Sequence, residues 1–366
     1  MKSNIKSEFK TFKLYICLMF SQFDKQMMRR AIQLAQIPGV KVAPNPMVGA
    51  VITMNEKIIG EGYHKQYGAS HAEVNAIESV VDKSLLNQST IYVNLEPCSH
   101  FGKTPPCSGL IVKSGFKRVV IGCSDSNKVV SGKGIAQVKN AGIQVNVGCC
   151  EEDARFINRR FFTFHELKRP YIILKWAQTK DGYIDKLPEN RGEGVQWITA
   201  PETKIITHKW RSDEQAIVVG WKTIINDNPK LTVRKIAGDS PIRIIIDPHC
   251  QAPTDAAVFT DEQQTICLVK KNDYADMNKL VEVMELGQDF TLDKILQSLF
   301  QRNYISIFVE GGATTLDQFI TAEKWDEARV YEGKTEFING VPAPNMPKEV
   351  FKKETYGTDL INYYYK

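Results

Sequence analysis

The sequence predicts two successive α/β domains, each a β-sheet covered by helices. Three observations carry that expectation. Short β-branched runs, such as residues 48–52, 90–95 and 119–122, alternate with stretches of helical spacing. The alternation stops at Lys168-Arg169-Pro170 and begins afresh at residues 171–175. The chain has 366 residues, enough for two domains of ordinary size.

The elements of the first half follow in order. Met27, Ala31, Leu34 and Ala35 recur at helical spacing and stop before Pro38-Gly39, which predicts a helix over 27–37. Residues 47–54 form a β-rich run that Asn55-Glu56-Lys57 turns into residues 58–62, a hairpin by pattern. Ala72, Ala76, Ile77 and Val80 predict a helix over 71–81 with His71 and Glu73 on its first turn. A strand over 90–95 leads into Glu96-Pro97-Cys98, read as the start of the next helical region. Strands at 119–122 and 145–147, with helices between, complete an α/β/α sandwich. Residues 151–164, with Phe161, Phe162 and Phe164, read as one closing helix.

Ahead of this, Lys10 and Lys13 flank the start of an apolar run over 14–20. The run is shorter than the roughly 20 residues that span a bilayer, and no small-residue cleavage site follows. Residues 1–26 are expected to be a disordered extension, or an over-called start with the true one at Met27 or Met28, with domains over 27–168 and 169–366. In the second half, strands are predicted at 216–219, 242–246, 265–269 and 305–309, with helices at 201–210 and 292–300. No internal repeat or low-complexity tract is present.

A net charge of +5 is small for this length and does not mark a nucleic-acid binder. Eight cysteines do not make a disulfide scaffold in a chain this long. Cys17, Cys123, Cys149, Cys150, Cys250 and Cys267 read as buried thiols. A reducing, cytoplasmic setting is expected, with no membrane and no nucleic-acid partner.

The chemistry-bearing constellation is His71-Ala72-Glu73, then Pro97-Cys98, then Cys107. One imidazole and two thiolates fill three of zinc's four tetrahedral positions and leave one open, the arrangement of a catalytic rather than a structural site. Glu73, two residues beyond His71, is free to move protons. That set is the pattern of a hydrolytic deaminase acting on a nucleobase-like ring. Nucleic-acid base deaminases place two residues between the cysteines. Here residues 99–106 intervene and carry Lys103, which points to another substrate class. A zinc-stabilised scaffold would more often use four protein ligands and would have no use for Glu73.

Two features stand out in the second half. A strand ends at Gly311-Gly312 and enters a helix, a corner whose backbone N–H groups suit a phosphate. Residues 220–234 place Asp227 and Arg234 on one loop after a strand, where open α/β sheets bind ligands. There is no G-x-G-x-x-G fingerprint, so a dinucleotide fold of that kind is not indicated.

From about Met27 the whole chain resembles the bifunctional riboflavin-biosynthesis deaminase/reductase family. The matching segments are residues 45–51, 62–64, 68–76 and 95–107, the last with its Lys103-Thr104-Pro105-Pro106 loop. In the second half they are Leu174-Lys175, Asp181-Gly182, residues 197–199, 227–234 and 309–312. Gln196, Lys180 and a C-terminal part without the family's Gly-Gly ending depart from the pattern.

The resemblance implies a cytidine-deaminase-like α/β/α sandwich followed by a dihydrofolate-reductase-like α/β domain. It implies zinc on His71, Cys98 and Cys107, with Glu73 as the proton shuttle. Asn45, His64 and Lys103 match substrate contacts of the deaminase. Lys175, Arg211, Leu231, Arg234 and Glu310 match substrate contacts of the reductase. Ala177, Trp197, Thr199, Thr223, Asp227 and the segment from Gly312 match NADPH contacts. Lys175 and Asp227 are candidate proton donors. The expected partner is a small phosphorylated pyrimidine, and a homo-oligomer is expected. The alternative is a deaminase whose reductase-like half no longer turns over NADPH.

Overall fold

A computed structural model describes residues 19–99, 105–126, 132–192, 194–275 and 277–366. The chain divides into two compact units between Leu167 and Lys168. Among the described residues, no helix is long and apolar enough to cross a membrane.

The first unit contains α1 (Gln22–Gln36), β1 (Gly49–Met54), β2 (Lys57–Tyr63), α2 (Ala72–Ser79), β3 (Thr90–Leu95), α3 (Cys107–Ser114), β4 (Arg118–Cys123), α4 (Lys133–Asn140), β5 (Gln144–Val147), α5 (Glu151–Ile157) and α6 (Arg159–Leu167). Its sheet runs β2-β1-β3-β4-β5. β1 is antiparallel to both neighbours, whereas β3, β4 and β5 are parallel. Asn55 and Glu56 both take positive φ, the geometry a tight hairpin needs. Successive residues of β1 face opposite ways. Val51 packs with Met28 and Ala31 of α1, Tyr92, Val120, Phe161 and Phe162 on one face. Ala50 and Ile52 pack with Ala76, Ile77, Ile111 and Val138 on the other. α1 lies tight on β1, since a Cβ at Gly49 would fall 2.1 Å from the Ala31 carbonyl oxygen.

Three expectations are corrected. The extension expected to run through residue 26 does not: α1 starts at Gln22, and Phe20 and Asp24 are buried. Ser21 accepts the Asp24 N–H and donates its own N–H to the Asp24 carboxylate, a capping box that fixes the helix start. Asp24 also accepts from the Tyr92 hydroxyl at 2.8 Å and Arg118 at 2.7 Å. Residues 1–18, including Cys17, lie outside the described residues.

Cys98 does not start a helix; it follows β3 in extended chain, and the next helix begins at Cys107. Pro105 and Pro106 disfavour helix for the residues ahead of them, and Pro106 is itself the N-cap. The closing helix is two helices, broken at Asn158. The Asn158 side chain accepts from the Met47 N–H and donates to the Met47 carbonyl, at 2.8 and 2.9 Å.

The second unit contains β6 (Tyr171–Gln178), β7 (Tyr183–Asp185), α7 (Thr203–Ser212), β8 (Ala216–Gly220), α8 (Trp221–Asp227), β9 (Ile242–Ile246), α9 (Ala257–Thr260), β10 (Thr265–Val269), β11 (Val281–Glu285), α10 (Leu292–Gln301), β12 (Ser306–Val309), α11 (Ala313–Thr321), β13 (Glu327–Glu332), β14 (Val341–Pro342), β15 (Lys352–Tyr356) and β16 (Asp359–Tyr365). A nine-stranded sheet runs β11-β10-β9-β8-β12-β6-β13-β16-β15. It is parallel from β11 to β13, and β16 and β15 close it with antiparallel pairings. Ile172 and Leu174 pack under α10 and α11. Ile173 faces the opposite cluster with Trp210 of α7, Val219 and Phe308.

Ser21→Ala is expected to destabilise the first unit by about 1 kcal/mol, the worth of a cap. Asp24→Ala also strands Arg118 and the Tyr92 hydroxyl, and about 3 kcal/mol is expected. Urea unfolding of the full chain measures both. Equal, negligible effects would mean that residues 19–26 are not part of the folded unit.

Candidate active sites

In the first unit, His71 caps α2 in extended conformation, and Glu73 lies on the first turn. Cys98 follows β3, and Cys107 opens α3. His71 Nδ1 stands 3.3 Å from Cys107 Sγ and 3.6 Å from Cys98 Sγ. The three ligand atoms lie within 4.8 Å of one another, close enough to hold one metal ion. The Cys107 N–H points at Cys98 Sγ, 3.3 Å away. Hydrogen bonding from the Cys107 thiol, and from His71, pulls the Cys98 thiol well below its ordinary value, which favours a thiolate there. Glu73 is buried, and burial, reinforced by Cys98, holds its carboxyl above the ordinary value.

Asn45 and His64 meet beside this group, with Asn45 Nδ2 3.1 Å from His64 Nε2. His64 Nδ1 lies 3.1 Å from the Ser70 carbonyl, which only accepts. The proton therefore sits on Nδ1, and Nε2 accepts from the Asn45 amide. Burial lowers the His64 pKa, which keeps the ring neutral. Asn45 is left with its Oδ1 as an acceptor. The His64 and His71 rings meet edge to face at 5.5 Å. Lys103 lies outside the described residues.

Glu96 carries no role in the sequence reading, yet its buried carboxylate accepts four backbone N–H groups, those of Asp125, Gly132, Gly134 and Ile135. It ties the chain after β4 to the turn that bears Cys98. Its place directly before Pro97-Cys98 was the available signal.

The second unit holds one large cavity of about 1690 Å³. Lys175, Ala177, Trp197, Thr199, Arg211, Thr223, Asp227, Leu231, Arg234, Glu310 and Gly312 all line it. Arg211 grips Glu310 with two bonds, Nε to Oε1 at 2.7 Å and a terminal nitrogen to Oε2 at 2.9 Å. Lys175 Nζ stands 3.7 Å from Glu310 Oε2. Burial works to raise the Glu310 pKa, but Arg211 and then Lys175 overcome it and bring it down to about 2. Burial outweighs Glu310 at Lys175 and lowers the ammonium's pKa.

At the other end, Arg191 bonds Asp185 at 2.8 Å and pairs with Asp227. Burial nevertheless raises the Asp227 carboxyl. Thr223 Oγ1 accepts the Gly312 N–H at 3.2 Å, at the start of α11. A Cβ at Gly311 would fall 2.7 Å from the Thr315 Cβ, so the paired glycines let the strand end press against that helix. Leu231 is buried in a left-handed conformation that a leucine side chain resists, so the loop is held against local preference.

The family described as cytidine and deoxycytidylate deaminase zinc-binding region matches residues 21–123. The family described as RibD C-terminal domain matches residues 170–333. The riboflavin biosynthesis protein RibD of Aquifex aeolicus is 41% identical over 360 residues, which covers 94% of this chain and 99% of that relative. The chain belongs to the RibD family. RibD of Bacillus amyloliquefaciens is 37% identical over 332 residues, 88% of this chain and 87% of that protein. A solved Thermotoga maritima structure, a diaminohydroxyphosphoribosylaminopyrimidine deaminase/5-amino-6-(5-phosphoribosylamino)uracil reductase, superposes with a TM-score of 0.85. It is 34% identical and covers 93% of this chain and 98% of its own. The chain is accordingly a bifunctional enzyme of riboflavin biosynthesis, with a deaminase domain and a reductase domain.

The Glu310 carboxyl is held far below the unfolded-state value of about 4.3. Its stabilisation is complete above about pH 5 and is lost as pH falls through 2. Glu310→Gln should therefore flatten the acid limb of the protein's stability curve. At neutral pH it should cost about 3 kcal/mol by leaving Arg211 unpaired. Urea midpoints between pH 2.5 and 7 test this, and an unchanged acid limb would refute it.

Proposed function

We propose that the first domain hydrolyses the 2-amino group of 2,5-diamino-6-ribosylamino-4(3H)-pyrimidinone 5′-phosphate, and that the second uses NADPH to reduce the deaminated product's ribosyl chain to ribityl. The reading is carried by the His71–Cys98–Cys107 cluster with a buried, non-ligating Glu73 beside it. The Thermotoga structure's assigned activities support the substrate.

One imidazole and two thiols are a donor set that suits zinc with a fourth position open. Zinc bound there supplies Lewis acidity, lowering the pKa of water from about 15.7 toward roughly 7. Glu73 takes the two protons of the attacking water in turn, delivering the first to the ring nitrogen and the second to the departing ammonia; a carboxyl raised by burial suits that traffic. Asn45 Oδ1 accepts from the pyrimidine edge, with His64 fixing the amide's orientation. Lys103, between the two cysteines in sequence, is assigned to the phosphorylated ribose.

In the second domain, Lys175, Arg211, Leu231, Arg234 and Glu310 hold the substrate. Ala177, Trp197, Thr199, Thr223, Asp227 and Gly312 hold NADPH, which supplies the hydride. Free N–H groups at the start of α11 and the Thr223–Gly312 contact suit the cofactor's phosphates. Lys175 is the better proton donor of the two candidates. Burial lowers its pKa and so eases proton release, whereas Asp227 is engaged by Arg191.

A split assay with the diaminopyrimidinone phosphate and NADPH, following ammonia and NADPH absorbance separately, tests the whole reading. Ammonia without NADPH oxidation would leave the second domain without its assigned reaction. Glu73→Gln should retain zinc by metal analysis and lose ammonia release by about 10²-fold or more; near wild-type deamination would remove Glu73 from its role. Asp227→Ala should raise the KM for NADPH while ammonia release continues. Loss of both activities in a folded variant would argue against independent sites.

A further inference from the structure

His208 is assigned no role above. It lies on α7 one turn before Arg211, so the two side chains share a helix face, and both line the reductase cavity. The residue is only 4% exposed. Its Nδ1 accepts the backbone N–H of Arg234 at 3.2 Å. An accepting Nδ1 carries no proton, so the neutral ring holds its hydrogen on Nε2.

Among the described residues, no hydrogen-bond partner meets that Nε2–H. The fully occluded orphan polar side-chain atoms among these residues are Ser126 Oγ and Asn362 Oδ1. His208 Nε2 is not one of them, so it is reached from the cavity. The side chain is thus buried, fixed in tautomer by the backbone, and ends in one open donor.

Its surroundings select the acceptor. Arg211 on the same helix, Arg234 and Lys235 on the loop after α8, and Glu310 after β12 all act on the ring. Burial first, then Arg211 and Arg234, push its pKa down to about 4, so it stays a neutral donor at physiological pH. Lys204, packed 3.3 Å over the Trp197 ring, adds a further cation to the same cavity, within the field of Lys235 and Arg234. A neutral N–H amid mostly positive charge suits an anionic oxygen.

We propose that His208 is a substrate-contacting residue of the reductase, donating from Nε2–H to a phosphate oxygen of the phosphorylated sugar chain. The proposal rests on the reading of this cavity given under Proposed function.

The test uses full-length, zinc-loaded protein and ribose 5-phosphate, a phosphorylated pentose, by calorimetry without NADPH. His208→Asn keeps an acceptor near Nδ1 for Arg234 and removes the outer donor. His208→Gln keeps a donor near the Nε2 position. Asn should weaken pentose-phosphate binding about tenfold or more, and Gln should hold it within about threefold. The NADPH dissociation constant should stay within about twofold in both. In turnover, His208→Asn should raise the substrate KM with kcat little changed. Nitrogen-15 NMR of the unaltered protein gives a check free of folding effects, since ribose 5-phosphate should shift the His208 Nε2 resonance. Wild-type affinity in His208→Asn, a loss confined to NADPH, or a motionless Nε2 resonance would each overturn the proposal. Wild-type protein that binds NADPH but no pentose phosphate would also overturn it. Wild-type protein that binds neither would bring down the underlying reading of the cavity.

Discussion

Glu310 is a carboxylate removed from water and kept ionised by two cations. That contact organises the reductase domain. Glu310 follows β12, Arg211 ends α7, and Lys175 lies on β6, so the ion cluster joins a helix to two neighbouring strands. Desolvating three charges is expensive, and only the two-pronged Arg211 bond plus Lys175 makes it tolerable. The cluster also leaves one net positive charge on the cavity wall. That is the sign an anionic substrate requires, and it is why a neutral His208 fits beside it better than another cation would.

Glu73 shows the same residue type under the opposite rule. It too is buried, but no arginine or lysine shifts its carboxyl, and the nearest strong influence is the thiolate-forming Cys98. Burial then wins, and the pKa rises where that of Glu310 falls. A carboxylate that must stay charged to hold a fold is given cations. At Glu73, burial and Cys98 outweigh the opposing pull of His71. Glu96 is a third solution, since backbone N–H groups alone satisfy it.

The sequence made the local elements legible where periodicity was strong. The β1–β2 hairpin and the restart at Tyr171 follow from β-branched runs and turn residues. The cluster of His71, Cys98 and Cys107 was legible because zinc chemistry restricts residue type and spacing. Other features were hidden for physical reasons. The start of α1 was obscured because Ser21 and Asp24 act through a capping box inside a polar stretch that reads as linker. The break at Asn158 depends on Met47, distant in sequence. β13 and the β15–β16 hairpin were passed over because charged and tyrosine-rich strands near a sheet edge lack a clean apolar alternation. Arg191 escaped notice because its worth lies in two carboxylates that meet only in the folded domain.

The histidines show how far residue type alone can mislead. His71, His64 and His208 are all buried or half-buried near a site, yet each does different work through its second nitrogen. At His64 a carbonyl fixes the proton on Nδ1 and turns Nε2 into an acceptor for Asn45. At His208 a backbone N–H occupies Nδ1 and forces the proton to Nε2, which makes a donor. At His71 the sulfurs of Cys107 and Cys98 face Nδ1, at 3.3 and 3.6 Å. At His64 and His208 the neighbour on one nitrogen decides what the other offers. At His208 that neighbour, Arg234, comes from the loop after α8, so the tautomer there is a property of the tertiary structure and not of the motif.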